Sequence, residues 1–178
     1  LNPTKETLQM GKINNPGIIE AEISWAKLFE FNKDTKYKPE GEYSCVATFS
    51  EDQKQKLLDT KVPDSRIKDL GNGSYEIKFK RPHAKVNWEG WVPQPLVFDH
   101  KAAEIRMKSE ESSDIGQYIQ PWNPQDDGLI GNGTKAKIKY HVYKGDNSMY
   151  ESITLEAVGV LDLVSYNAEG GSSSGISF

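Results

Sequence analysis

One stretch restricts the fold of this chain more than any other: Gly131-Asn132-Gly133 followed by Thr134-Lys135-Ala136-Lys137-Ile138-Lys139-Tyr140-His141-Val142-Tyr143-Lys144-Gly145. Apolar and polar residues alternate strictly, which is the period of a β-strand and not of a helix. Ala136, Ile138, Tyr140 and Val142 line one face; Lys135, Lys137, Lys139, His141 and Tyr143 line the other. A second run of this kind opens at the turn Asn72-Gly73. There Tyr75, Ile77 and Phe79 share a face, Lys78 and Lys80 lie opposite, and Pro82 ends regular pairing or places it at an edge.

A row of like charges repels itself, so lysines in register without an intervening acid suggest a polyanionic ligand. Alternating lysine also protects an edge strand from pairing with another chain. Recurrence in two strands favours the ligand. Ser74 to Lys85 carries four bases and one acid, and Gly131 to Gly145 carries four bases and none. The net charge of −4 is no obstacle, because acids gather in Glu104 to Asp114 and in Asp126-Asp127. Only the potential within about 10 Å of a groove matters at ordinary salt.

Taken in order, residues 1–17 read as an irregular arm that Pro16-Gly17 turns into the domain. Ile18 to Phe31 is a strand with a mixed face, Asn32 to Gly41 a lysine-rich loop containing Tyr37, and Glu42 to Phe49 the next strand. Ser50 as N-cap, with Gln53 completing a capping box, opens the one convincing helix, which ends near Thr60. Lys85 precedes an aromatic loop with Trp88 and Trp91, and Pro95 to Asp99 is a short strand. Lys101 to Gly128 reads as a long excursion without a regular element beyond a turn or two. Glu151 to Tyr166 closes the domain, with Ile153, Leu155, Ala157, Gly159, Leu161 and Leu163 on one parity and Gly159 marking a bend. Residues 167–178 form a flexible Gly/Ser tail ending in Phe178.

Several function classes find no support in these residues. Cys45 is the only cysteine, so there is no disulfide framework and no cysteine cluster for zinc. His83, His100 and His141 have no metal-ligand spacing, and neither a phosphate loop nor a nucleophile elbow occurs. Asp126-Asp127 reads as a solvated turn more readily than as a nuclease metal site. No apolar run approaches the ~20 residues of a membrane helix, and the amino end lacks a signal-peptide core. The expectation is a soluble, non-enzymatic cytoplasmic protein without cofactor or metal.

Short strands, a single helix and a bent closing strand imply a mainly β fold: one OB-type, five-stranded, partly open barrel over residues 18–166, with one short α-helix and long loops. Such barrels hold single strands with a positive groove and stacked aromatics. Lys78, Lys80, Arg81, Lys85, Lys135, Lys137 and Lys139 are the expected phosphate partners, and Tyr75, Trp88, Trp91 and Tyr143 the expected stacking residues. Tyr75 is the weakest, since its parity puts it with Ile77 and Phe79. Trp25, Tyr37 and Trp122 are further exposed-aromatic candidates. An oligosaccharide-binding OB module and a virion or assembly protein are the alternatives.

Three blocks then resemble a known family, the single-stranded-DNA-binding proteins of tailed bacteriophages: Asp69 to Lys80, Leu129 to Tyr140, and Glu151 to Tyr166. The resemblance implies sequence-independent binding and protection of single-stranded DNA in replication and recombination within the host cytoplasm. It also implies contacts with a phage DNA polymerase or helicase-primase, homodimer formation, and a partner-binding role for Phe178. Better-known members end in an acidic tail closed by an aromatic, whereas the last dozen residues here hold only Glu169.

Overall fold

The computed structural model describes residues 12–86, 88–167 and 171–172. Most of the expected N-terminal arm and of the tail, Phe178 included, therefore lies outside the described residues.

Five strands make the barrel: β1 (Ile13–Lys27), β2 (Glu42–Ser50), β4 (Ser74–Pro82), β6 (Thr134–Lys144) and β7 (Ser152–Asp162). The antiparallel ladders run β4-β2-β1-β6-β7, and a parallel contact of Lys80 with Thr154 closes β7 onto β4. Two strands flank the barrel, β3 (Lys68–Gly71) beside β4 and β5 (Leu96–Asp99) parallel to β7. A two-residue pair, β8 (Tyr166–Asn167) and β9 (Gly171–Ser172), follows. The barrel was expected partly open; it is closed, although its seam is a single residue pair.

The two alternating runs become β4 and β6 with the expected faces. Ile77 and Phe79 of β4 and Ala136, Ile138, Tyr140 and Val142 of β6 are buried, and they meet Ile19, Ile23, Cys45, Ala47 and Leu155 in one core. Burial pushes the Cys45 thiol up to about 12, so it packs as a small apolar group. Asn72 and Gly73, with φ of 56° and 77°, make the tight turn from β3 to β4.

Four expectations change. Residues 13–17 continue β1 instead of forming an arm and turn. Pro16 is tolerated there because it pairs only with His141 of β6, the pairing with β2 beginning at Glu22, so its missing N–H faces no ladder. Gly17 is required because a Cβ would overlap the buried Tyr140 ring. Second, the capping box is absent: α1 (Glu51–Asp59) starts after Ser50, but the Ser50 side chain caps nothing and Gln53 Oε1 accepts from the Glu20 backbone N–H at 2.9 Å. Third, the long excursion contains two further helices, α2 (His100–Ser109) and α3 (Pro124–Asp127). Asp99 caps α2 by accepting from Ala102 N–H at 3.0 Å, and Lys101 to Lys108 is rich in good helix formers. With only His100 and Ala103 buried, α2 shows little amphipathic signal in sequence.

Finally, β7 does not keep one parity. Lys139 pairs with Ala157 while Tyr140 pairs with Leu155, so Glu156 is an extra residue, and Leu161 is another between Asp162 and Val160. After the first bulge Val158 and Val160 enter the core in place of the expected Gly159 and Leu161. Replacing Gly17 with Val should lower stability by about 1–3 kcal/mol through overpacking against Tyr140. An unchanged urea midpoint would show that the ring has room to move.

Candidate nucleic-acid interface

Arg81 ends the inward row of β4, where the residue is 6% exposed. It donates through Nε to the carbonyls of Val92 and Pro93, both at 3.1 Å, and through Nη2 to Val92 at 2.6 Å. Its Nη1 reaches the Leu155 carbonyl at 3.0 Å and the Glu156 carboxylate at 2.9 Å. The group also lies 3.9 Å from the centroid of Trp91, whose Nε1 donates to Pro82 O at 3.0 Å. Burial pulls the guanidinium's pKa below its ordinary value, and Glu156 opposes the shift. Arg81, expected among the phosphate partners, is instead the strut that ties Val92 and Pro93 to β7.

That strut builds a groove of about 390 Å³ from residues remote in sequence, with Lys85, Trp88 and Trp91 on one side and His141, Tyr143 and Thr154 on the other. Trp88 and Trp91 meet edge to face at 5.7 Å, and Lys85 Nζ rests 4.4 Å from the first indole and 5.1 Å from the second. Trp88 and Tyr143 remain 55% and 45% exposed. His141 Nε2 and the Asn14 Oδ1 carbonyl oxygen form a hydrogen bond at the rim. Lys80, exposed on the outer face of β4, pairs in register with Thr154 of the groove. Lys78 lies two residues along the same face, beside Asp34, whose carboxyl is held below its usual range first by the Lys36 backbone N–H and then by Lys27, Lys78 and Lys36.

Five of the expected site residues thus converge, Lys85, Trp88, Trp91 and Tyr143 on the groove and Arg81 behind Trp91. The others separate. Tyr75 is tied at the far end of β4, its hydroxyl donating to Glu51 and its ring against Phe49 and the Lys54 ammonium. The Glu51 carboxylate pushes its pKa up to about 12. Lys135 and Lys137 stand opposite Glu22 and Glu20 of β1, and Asp162 lies on the other side of Lys135. Only Lys139 has an apolar neighbour, Ile18, across that ladder. Trp122 is buried with its Nε1 donating to Gly128 O, whereas Trp25 and Tyr37 are exposed outside the groove. Four polar residues of the groove are not among the expected site residues: Asn14, His141, Thr154 and Glu156. No local pattern marks them, since their partners lie more than 70 residues away.

No group of three or more metal-ligating side chains occurs among the described residues, and no helix there is long and apolar enough to cross a membrane. The sequence matches no protein-family model and no curated protein sequence. Among solved structures the chain is similar to gp2.5, a single-stranded DNA binding protein encoded by bacteriophage T7. The two share 20% identity over 88% of this chain and 90% of that one, with a TM-score of 0.50. The shared architecture is the OB fold. The single-stranded DNA-binding protein of bacteriophage Enc34 is also similar: its complex with ssDNA aligns at 13% identity and a TM-score of 0.49, covering 86% of this chain and 88% of that one.

Truncating Arg81 to Met would leave three backbone carbonyls and Glu156 without their donor, which should cost about 3 kcal/mol. Arg81→Lys should recover only part of this, because one ammonium replaces a planar fork. Urea denaturation of both variants tests the assignment; two near-neutral variants would mean that Arg81 is not the strut.

Proposed function

We propose that this chain is a non-catalytic single-stranded-DNA-binding protein that takes DNA of any sequence. The carrying observation is the groove itself, where two indoles, a tyrosine and a lysine from distant segments share one concavity. Bases of all kinds stack on such rings for about 1–3 kcal/mol each, while lysines follow the backbone. In this reading Trp88, Trp91 and Tyr143 stack bases, and Lys78, Lys80 and Lys85 neutralise phosphates. Lys135 and Lys137 lie outside this path, since acids of β1 and β7 face them, and Lys139 does not line the groove.

The free protein keeps Lys85 on the indole faces. An entering base takes that place and the ammonium turns to the adjoining phosphate, so one cation–π contact worth about 0.5–1 kcal/mol is exchanged for a stack and a charge pair. The similarity to gp2.5, a protein described as binding single-stranded DNA, supports the same reading. The finer proposal is a role in phage DNA replication and recombination in the host cytoplasm, with homodimer formation and contacts to a polymerase or helicase-primase carried by the family resemblance.

Anisotropy of labelled oligo-dT at low and raised salt, beside matched duplex, is the deciding measurement. Tight, salt-sensitive binding to the single strand is expected. Trp88→Ala should weaken it by about 1–3 kcal/mol. Lys80→Gln with Lys85→Gln should reduce the salt slope by about 1.4, at roughly 0.7 per phosphate contact on single strands. Salt-indifferent binding of oligosaccharide would favour a sugar module, and no binding at low salt would defeat the reading.

A further inference from the structure

A second concavity, of about 640 Å³, adjoins the aromatic groove on the outer face of β6, β7 and β5, and its chemistry differs. The floor is Ala157 and Gly159 of β7. A Cβ on Gly159 would stand 3.0 Å from Phe98 Cζ and 3.1 Å from His100 Cβ, so the glycine lets β5 and the start of α2 lie close over the strand. Leu96, Ile115 and Ile119 form one wall, facing Ile18 of β1. Ile18 is 54% exposed and Leu96 38%, so aliphatic surface is open on both sides of the hollow.

Lys137 and Lys139 line this trough. Glu20 offsets Lys137 across the ladder and Glu156 is committed to Arg81, which leaves Lys139 without an ion pair among the described residues. His100 also lines the trough and is 8% exposed; its Nδ1 has no hydrogen-bond partner among the described residues, the nearest carboxylate being Glu104 at 3.9 Å. The aromatic rings here, Phe98 and Tyr140, are themselves buried. Neither of these two rings offers a nucleobase a face on which to stack.

We propose that this trough docks a protein partner through an acidic segment bearing aliphatic side chains. The aliphatic groups fill the hollow between Ile18 and the Leu96–Ile115–Ile119 wall. The carboxylates pair with Lys139 and Lys137, and His100 offers a hydrogen bond to the segment's backbone. Single-stranded DNA would satisfy the lysines but leave aliphatic walls against unstacked bases. His141 and Glu156 line both concavities, and Glu156 anchors the guanidinium that covers Trp91. Occupancy of the trough is therefore felt in the groove, a coupling that rests on the nucleic-acid reading of that groove. By linkage the effect is reciprocal.

The test uses the full chain and three labelled ten-residue peptides, alternating Asp with Leu, Asp with Ser, and Lys with Leu. The Asp–Leu peptide should bind and the other two should not. Lys137→Gln with Lys139→Gln, and separately Leu96→Asp, should each weaken it about tenfold, while a short oligo-dT binds both variants as it binds the unaltered protein. Saturating peptide should shift oligo-dT affinity, and saturating oligo-dT should shift peptide affinity by the same factor. Equal binding of the Asp–Ser peptide would reduce the trough to diffuse charge and overturn the proposal. So would loss of oligo-dT affinity in the double-glutamine variant, which would make DNA the occupant, or a concentration-dependent dimer abolished by Leu96→Asp. Failure of oligo-dT to bind the unaltered protein would defeat the groove reading alone, since the peptide arm does not depend on it.

Discussion

The Arg81 guanidinium ties β4, β7 and the Val92–Pro93 segment together at one point. Donors on all three nitrogens of one rigid plane satisfy three backbone carbonyls and one carboxylate at once, and only arginine supplies such a fork. β4 pairs in register with β7 at one residue pair only, and Arg81 adds a second tie across that seam. The same plane supports Trp91, which sets the angle of Trp88 beside it. Closure of the barrel and shape of the aromatic groove thus depend on one buried charge, and burial is affordable because each donor has an acceptor.

Charge is arranged by neighbours as much as by composition. The lysine row of β6 is free of acids along the chain, yet β1 brings Glu20 and Glu22 to face it, pair by pair. Cross-strand pairs of opposite sign stabilise a sheet modestly and cancel the long-range field that a polyanion would follow. The lysines of β4 have Ser44 and Val46 as β2 partners, so no acid stands directly opposite them across that ladder. Two strands of nearly identical pattern acquire different surroundings through pairing alone.

Backbone irregularities place the exposed apolar groups. The bulge in β1 between Ser24 and Lys27 leaves Trp25 at φ 52°, with its N–H donating to the Asn132 side chain, and turns outward a residue that alternation would put in the core. The bulge at Glu156 resets β7, bringing Val158 and Val160 inward and leaving Ala157 and Gly159 to floor the outer trough. Period-2 reasoning has no means of seeing an added residue, because the residues around it keep their apolar character on both parities.

By itself the sequence determined the strand identities of β4 and β6, their turns, the start of α1 and the mainly β class, because alternation and Gly-containing turns are local signals. It also marked Lys85, Trp88, Trp91 and Tyr143 as residues of interest, though not as neighbours. Only the tertiary structure decided that these four meet, that Arg81 is internal, that Tyr75 is tied to Glu51, and that Glu20 and Glu22 face the β6 lysines. Each of those outcomes is a contact between segments far apart along the chain. Strand register and bulges set such contacts, and neither is written in the residues that make them.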